Sequence, residues 1–430
     1  MRLIFSLAIV FFVSLLPGRA VAAPSKLDSL AQRYVALVVQ AARIEPDSFD
    51  VGSDLQPIAR KAKTHPIGRQ EIVRRLGLLV SRLDSLPPST DPLLAMRQRN
   101  LRAHAVSLAL QLQPAKMAAL PVAERMRRIY GFEPIFRPLS TFNLAIERLD
   151  QAMPGEGSLT DRIDAMKKRA QVPADRIEAV VRTAVAECRR RTAAHLALPK
   201  EELAISFPAD PLVPGQSDYH GRGKGTMAVS TVVPADVDRL LQLSCHEAYP
   251  GHHTNYATLD QRLWRGKGWP EVRLGLSLEP QFPVSDAISE YGVGMVFPLE
   301  DRMKFEREVL YPLAGLRMRD EPAWRAYISA RSSVLGATST VIRDYLDHKI
   351  DVGTAKNLSM RYRLMNPRSA EQLLKMVDAF GIDIIASDQG WQAVDSAFRD
   401  KPIDEQWRLL QRMEEEPMLL GDVRALATAH

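Results

Sequence analysis

Apolar residues recur every three or four positions over most of the chain. The first such stretch contains Leu27, Leu30, Tyr34, Leu37 and Val38. A second contains Ile72, Val73, Leu76, Leu79, Val80 and Leu83, and it stops at Pro87 and Pro88. Because this spacing places apolar side chains on one face of a helix, both stretches predict amphipathic helices. Further helices are predicted over residues 92–112, 122–129, 160–170 and 173–198.

The pattern changes between residues 205 and 234, where prolines and glycines are frequent and a β-branched run follows at 226–233. This composition predicts a loop with one or two strands. The run at 226–233 is a candidate edge strand for an extended substrate, and a flexible surface turn is the alternative. Helical spacing returns after Pro234, and one later helix is predicted to open with a capping box of Ser369 and Gln372.

These patterns predict a mainly α protein, a large multi-helix domain with a small β element next to the helix that follows Pro234. We divide the chain into a signal peptide at 1–23, an N-terminal helical part at 24–204 and a C-terminal part at 205–430. The C-terminal part would carry the chemistry and form one continuous unit with the N-terminal part.

The first two dozen residues have the order of a secretory signal. Arg2 precedes an apolar run at 3–16, and the small residues at 20–23 follow. An uncleaved anchor is the alternative, but the run is shorter than the ~20 residues that a spanning helix needs. We expect cleavage after Ala22 or Ala23, a periplasmic or secreted protein, and no stable membrane insertion after cleavage.

Composition and charge indicate a folded globular protein and argue against nucleic-acid binding. The 430 residues are 46% hydrophobic and 25% charged, as in folded globular proteins. Loss of Arg2 and Arg19 with the signal would lower the formal net charge from +6 to +4. Basic residues are scattered, and the densest run, at 189–191, lies in a predicted helix. Nucleic acid is therefore not an expected partner.

The only two cysteines are Cys188 and Cys245, too few for a disulfide framework. Both lie in predicted helices. A bridge between them and two buried free thiols are equally consistent with the sequence.

Three of the nine histidines lie between residues 246 and 253. A His-Glu pair on a helix, followed by another histidine, is how a zinc hydrolase presents two imidazoles and a carboxylate that deprotonates metal-bound water. We therefore predict that His246 is a Zn²⁺ ligand and that Glu247 is the general base. The alternative is a group of ordinary polar residues at a helix end.

In the common metallopeptidase motif the second histidine follows the first by four residues, but here position 250 is proline. Pro250 interrupts the helix, and Gly251 frees the backbone there. On a straight helix His252 would face away, and His253 would lie roughly 10 Å further along. An interruption of two residues would place His252 beside His246. We predict His246 and His252 as ligands. His253 is the alternate ligand, and otherwise it lies behind them or contacts the substrate.

The segment at 246–253 resembles the signature of the DUF885 family, which is identified with zinc-dependent peptidases related in motif to the gluzincins. In that family a later helix carries Glu-Gly-x-x-x-Tyr, whose glutamate and tyrosine match Asp286 and Tyr291, so that an aspartate replaces the glutamate here. The resemblance implies that Asp286 is the third ligand. Glu290, one turn later on the same helical face, is the alternative third ligand, and the other carboxylate would orient a histidine.

A glycine-containing segment at 219–225 resembles the family's segment ahead of the metal helix. It is not a nucleotide loop, because Lys224 is followed by Gly225 instead of Ser or Thr. Arg222 or Tyr291 would stabilise the oxyanion in such an enzyme.

The sequence thus predicts a zinc metallopeptidase that acts on a peptide or small protein and uses Glu247 as its base. One alternative is a catalytically degenerate metal- or peptide-binding protein. The Asp at 286 favours it, as does the stretch at 381–390, which lacks the tyrosines that the family often carries there. Another is metal-assisted hydrolysis of a non-peptide bond. The sequence does not indicate which oligomeric state the protein adopts.

Overall fold

The computed structural model describes residues 25–56, 59–60, 65–211 and 213–428. The signal peptide predicted at 1–23 lies outside these residues.

The N-terminal part is mainly helical, as the apolar spacing predicts. They are α1 (Lys26–Ile44), α2 (Arg69–Asp84), α3 (Pro92–Gln111), α4 (Pro114–Ala118), α5 (Val122–Tyr130), α6 (Asn143–Ala152), α7 (Leu159–Arg169) and α8 (Ile177–Ala193). Short 3₁₀ turns occur at Ser53–Leu55, Leu139–Phe142 and Ala174–Arg176. The last of these opens the helix predicted over 173–198, and α8 ends earlier than predicted, at Ala193.

Local capping explains where the first long helices begin. Ser25 and Asp28 form a reciprocal capping box at the start of α1. Asp91 accepts hydrogen bonds from the amides of Leu93 and Leu94 at the start of α3, where Pro92 occupies the first helical position.

Within the described residues, five short strands make two small sheets: β1 (Phe49–Val51), β2 (Glu202–Ser206), β3 (Gly215–Gly221), β4 (Lys224–Val229) and β5 (Leu274–Leu276). β1 and β5 pair antiparallel, with Phe49 opposite Leu276. The second sheet has the order β2-β4-β3, parallel between β2 and β4 and antiparallel between β3 and β4. The prediction of an edge strand at 226–233 is wrong, because β4 is paired on both sides and β3 forms an edge.

The C-terminal part is again helical. Its helices are α9 (Val237–Glu247), α10 (His252–Leu259), α11 (Phe282–Val296), α12 (Leu299–Phe305), α13 (Tyr311–Leu313), α14 (Glu321–Ser333), α15 (Ala337–Leu346), α16 (Val352–Tyr362), α17 (Pro367–Phe380), α18 (Asp383–Phe398), α19 (Ile403–Glu415) and α20 (Leu420–Thr428). Wider π turns extend α10 over Asp260–Arg265 and join α12 to α13 over Glu306–Leu310. A 3₁₀ turn at Pro270–Arg273 precedes β5.

The capping box predicted at Ser369 is wrong. The helix α17 begins at Pro367, and the side chain of Asn366 accepts the hydrogen bond from the Ser369 amide. Asn is as good an N-cap as Ser, and proline is favoured at the first helical position, so the earlier start prevails.

The mainly α fold class is confirmed. Residues of α1, α2 and α3 form a smaller core that also contains Leu274 and Leu276 of β5. The larger core combines residues from both sides of the boundary predicted at 204/205, such as Val185 on α8 and Leu241 on α9. The two parts therefore share one hydrophobic interior. Among the described helices, none has both the length and the apolar character needed to span a membrane.

Two connections fix α8 against α9. A disulfide joins Cys188 to Cys245, 57 residues apart in sequence, with their Cα atoms 5.4 Å apart. At the other end of the two helices, Val172 donates its amide hydrogen to the carbonyl of Ala235, and Val237 donates to Ala170. The helix that carries His246 is thus held at both of its ends.

Candidate metal centre

The helix α9 is interrupted at the predicted place. It ends at Glu247, and α10 begins at His252 after a cis peptide bond between Tyr249 and Pro250. Pro250 has no amide hydrogen with which to continue the helix. Gly251 passes so close to the carbonyl of His246 that a Cβ atom would overlap it, so the turn requires glycine at this position.

The interruption brings three predicted residues together. One ligand atom from each of His246, His252 and Asp286 lies within 4.8 Å of the others. The Asp286 Oδ1 atom is 3.4 Å from His246 Nε2 and 3.7 Å from His252 Nε2. The two imidazole rings are nearly perpendicular, with centroids 4.9 Å apart. The side chains of α9, α10 and α11 thus converge on one point.

These separations suit a zinc ion. Ligand atoms about 2.0–2.1 Å from zinc in a tetrahedron are about 3.3 Å apart. The two observed nitrogen-to-oxygen distances, 3.4 and 3.7 Å, are close to that value. Two imidazole nitrogens and one carboxylate oxygen are also the ligand set that catalytic zinc uses when it keeps a fourth position open. The donor set therefore fits this metal.

Glu290 faces the other nitrogen of the His246 ring. Its Oε2 atom is 3.3 Å from His246 Nδ1, off the direction of a linear hydrogen bond, so this is a charge contact. Gln242 donates a hydrogen bond to Glu290 Oε1 at 2.5 Å. A carboxylate beside Nδ1 favours the proton on that nitrogen and leaves the Nε2 lone pair directed at Asp286 and His252. Glu290 is therefore placed to orient His246.

His252 is oriented by a hydroxyl that the sequence did not single out. Its Nδ1 lies 3.3 Å from Ser285 Oγ, and Ser285 donates its own hydrogen to Asn255 Oδ1 at 3.1 Å. Ser285 can therefore accept a hydrogen bond from Nδ1, which again leaves the Nε2 lone pair for the shared point. Tyr256 stacks on the His252 ring with an interplanar angle of 11°. Tyr256 follows His252 by four residues on α10, which places the two side chains on the same helical face, so this contact could have been predicted from the sequence.

The charges of the group favour a cation. Burial opposes a charged imidazolium, but the carboxylates of Asp286 and Glu290 outweigh it and raise the pKa of His246 well above its ordinary value. Burial would raise the pKa of Asp286, yet contacts with His246 and His252 hold it well below its usual range. In the same way, contact with His246 overcomes burial and lowers the pKa of Glu290 to about 2. The surroundings therefore stabilise positive charge between the carboxylates.

The carboxylate of Glu247 is left free. Its side chain is 7% exposed, and within the described part of the chain no hydrogen bond or ion pair engages it. Only its backbone carbonyl is used, as the acceptor of a hydrogen bond from Ser217 Oγ. A general base must be free to take a proton, and this carboxylate is free. Its negative charge also acts on His246, because it is one of the causes that raise the pKa of that imidazole.

His253, the alternative ligand, is not brought to the group. Its Nε2 lies 3.1 Å from Glu201 Oε2, which also accepts a hydrogen bond from the Tyr249 hydroxyl at 2.6 Å. On a helix, successive side chains diverge by 100°, so His253 faces away from the point that His252 faces. Burial lowers the pKa of His253 despite its carboxylate partner.

The two predicted oxyanion donors also lie elsewhere. Arg222 is exposed in the turn between β3 and β4, where its backbone amide donates to Asp260 Oδ2. Tyr291 packs on Phe398 of α18, with ring centroids 4.9 Å apart. Five helical positions separate Tyr291 from Asp286, which turns it about 140° away from the group. The structure therefore gives neither residue a place beside the three ligand atoms.

Comparison with known proteins supports the fold. No family model matches the sequence, and no curated protein matches it. A crystal structure of the "putative lipoprotein from Colwellia psychrerythraea" is similar, with a TM-score of 0.52 at 12% sequence identity. The similarity covers 86% of this chain and 71% of that one. At this identity the likeness shows a shared fold alone, and the resemblance to DUF885 stays a prediction.

Proposed function

We propose that this protein is a zinc-dependent hydrolase and that its substrate is a peptide. The observation that carries the proposal is the convergence of His246, His252 and Asp286. Both imidazoles turn their Nε2 atoms toward the Asp286 carboxylate, while Glu290 and Ser285 face their Nδ1 atoms. Each feature is what a zinc site requires of its ligands and of the residues behind them.

The residues around this point would divide the work of hydrolysis. Zinc, when bound, supplies an activated water molecule whose pKa is near ~7. Glu247, whose carboxylate has no other partner among the described residues, would accept a proton from the attacking water as its oxygen bonds to the scissile carbonyl carbon. It would then donate that proton to the leaving amine as the C–N bond breaks. Burial raises the pKa of Tyr256, as do nearby carboxylates, so its hydroxyl keeps its proton and serves as a hydrogen-bond donor beside His252.

The edge strand β3 supports a peptide as the substrate. Among the described strands it is bonded only to β4, on one side, and it packs against α9 and α10, which carry the two histidines. An extended peptide can add to such an edge through main-chain hydrogen bonds. Ser217, in the middle of β3, already bonds to the backbone of Glu247. A peptide paired with β3 would therefore run past the three ligand atoms.

One observation favours the second candidate function, a binding protein that keeps the metal but does not catalyse. Neither Arg222 nor Tyr291 lies at the group, and Asp286 has a shorter side chain than the glutamate of the DUF885 pattern. The site would then hold zinc or a peptide without turnover.

Export from the cytoplasm is part of the proposal. The signal-like segment at 1–23 supports it, as does the Cys188–Cys245 disulfide, because disulfides persist in oxidising compartments. The lipoprotein description of the Colwellia psychrerythraea protein agrees with an envelope location. We propose a periplasmic or secreted protein.

Metal content tests the first half of the proposal. The purified protein should bind about one zinc per chain, and His246→Ala or His252→Ala should remove it. His253→Ala is the matched control, since that ring faces Glu201, and it should retain the metal. Elemental analysis decides. Zinc lost from His253→Ala and kept by His252→Ala would contradict the site.

Turnover separates the hydrolase from the binding protein. Glu247→Gln should keep the fold and the zinc while abolishing cleavage, because the amide cannot accept a proton from water. Peptide libraries incubated with each protein and examined by mass spectrometry give the measurement. No cleavage by the zinc-loaded wild type would favour the binding protein, and equal cleavage by both would place the chemistry elsewhere.

A further inference from the structure

A cavity of about 220 Å³ lies beside the candidate metal centre, between the N-terminal helices α1 and α3 and the elements β3, α10 and β5. Ser285 and Tyr256, which contact His252, line it on one side. Ser217, which bonds to the backbone of Glu247, lines it on another. A group held in this cavity would therefore lie next to the position where the substrate reacts.

The hydroxyl of Tyr34 marks this cavity as a place for a polar ligand. Tyr34 is 1% exposed and lines the cavity, and its hydroxyl has no hydrogen-bond partner in the described structure. Buried hydroxyls are nearly always bonded, and an unbonded one costs about 1–3 kcal/mol. A ligand atom in the cavity would supply the missing partner.

The lining is acidic. Asp50, Asp218, Glu271 and Glu279 line the cavity, against one arginine, Arg273. Two of these five charges are already neutralised. Glu271 forms an ion pair with Arg97 at 2.6 Å, and Arg273 lies 3.5 Å from Asp260 with its guanidinium over the ring of Tyr219.

Three carboxylates remain without a strong cationic partner. Within the described residues, no Lys or Arg side chain reaches Asp50, Asp218 or Glu279. Only His104 Nε2 approaches Glu279, at 3.8 Å. The negative charge of Glu279 acts on Tyr34 across the cavity, because after burial it is the main cause that raises the pKa of the Tyr34 hydroxyl. A cation is the ligand group that this charge favours.

We infer that the cavity receives a positively charged group of a peptide substrate, either its α-amino group or a basic side chain, with Glu279 as the counter-charge and the Tyr34 hydroxyl as an acceptor. The inference rests on the proposed function for its placement beside the reaction. The volume is below the ~300–1,000 Å³ of pockets for larger ligands, so it fits one group of the substrate.

Binding can be tested without hydrolysis. The full chain with His246→Ala serves as host, so the result does not depend on zinc. Three probes are titrated by calorimetry at pH 6.5: norleucine amide, with only the α-amino cation; N-acetyl-lysine amide, with only the side-chain cation; and N-acetyl-norleucine amide, with neither. At least one cationic probe should bind, and the neutral probe should not. The cationic probe that binds identifies the source of the charge.

Variants locate the binding in the cavity. Glu279→Gln should weaken the cationic probe about 10- to 100-fold, since a hydrogen bond to a charged group is lost, and Tyr34→Phe should weaken it less. Glu178→Gln, an exposed change on α8, is the control and should have no effect. Tyr34→Phe keeps the packed ring, so it remains informative if Glu279→Gln unfolds.

Equal binding of the neutral probe, no binding of either cationic probe, or indifference to both cavity variants would overturn the inference. These outcomes are distinct from failure of the proposed function. If the protein binds a cationic probe but neither holds zinc nor cleaves peptides, the inference about the cavity stands and the proposed hydrolase function is wrong.

Discussion

Gly292 controls how closely α11 approaches the turn between the two histidines. A Cβ atom at this position would lie 2.5 Å from Cγ and 3.4 Å from Cδ of Pro250. Carbon atoms in contact prefer about 3.5–4.0 Å, so the proline ring or the helix would have to move by about 1 Å. Pro250 cannot rotate aside, because its ring is part of the backbone. Gly292→Ala therefore tests the packing that sets the positions of His246 and His252.

The magnitude follows from comparison with a glycine on the same helix. Overpacking of this kind costs about 1–3 kcal/mol. Replacing glycine by alanine inside a helix also stabilises by about 0.5–1 kcal/mol. Gly294 lies two positions further on α11, and its Cβ would meet nothing within 4 Å. Gly294→Ala should therefore show the gain alone, and Gly292→Ala should be about 1–3 kcal/mol less stable than Gly294→Ala.

Urea unfolding followed by circular dichroism, with chelator present, measures this difference without any contribution from metal. The comparison of the two variants cancels helix propensity, which is the same at both positions. Equal stabilities would refute the argument that Pro250 packs against α11 at this glycine. A competitive zinc titration then gives a second measurement, in which Gly292→Ala should bind more weakly than Gly294→Ala.

Three other predictions concern the ligands, the pH dependence and the disulfide. Asp286→Asn should lower zinc affinity by more than Glu290→Gln, whose effect should be about 10–100-fold, and the reverse order under competitive chelation would make Glu290 the ligand. Burial raises the pKa of Asp383 to about 7, whereas the unfolded chain releases this proton near 3.8. Stability should therefore fall as pH rises between about 4 and 7, and Asp383→Asn should remove that part of the fall in urea titrations at each pH. The Cys188–Cys245 bridge closes a 57-residue separation, so replacing both cysteines with Ala should cost about 4 kcal/mol of unfolding free energy. Reduced wild type should match that variant, and a loss below about 1 kcal/mol would contradict the loop-closure argument.

Much of the helical fold is predictable from sequence because most long helices have apolar spacing, a capping residue, or both. α1 shows both apolar spacing and the Ser25 cap, whereas α3 is marked by the Asp91 cap and by Pro92 at its first position. The sheet was less predictable. β2 is only half-buried on one face and exposed on the other, so apolar and polar residues alternate only weakly along it. Its pairing with β4 also depends on a hairpin further along the chain.

The candidate site was likewise predictable only in part. The pairing of His246 with His252 is predictable, since Pro250 and Gly251 force a local interruption whose geometry follows from helix parameters. The position of the Tyr291 side chain was not predictable from the sequence, because it depends on the rotation of α11 against α18. The cavity could not be predicted at all. Tyr34 and Glu279 are brought together by tertiary packing, and no local pattern marks either residue.

The disulfide between α8 and α9 also determines how the chain responds to a cut. It closes a covalent ring that contains β2, β3 and β4. A protease that cleaves inside this ring, for example between the prolines at 208 and 214, leaves one covalent molecule. The same cut outside the ring produces two fragments. The segment that carries the edge strand can therefore be nicked while α9, with His246, stays attached to the N-terminal helices until the bridge is reduced.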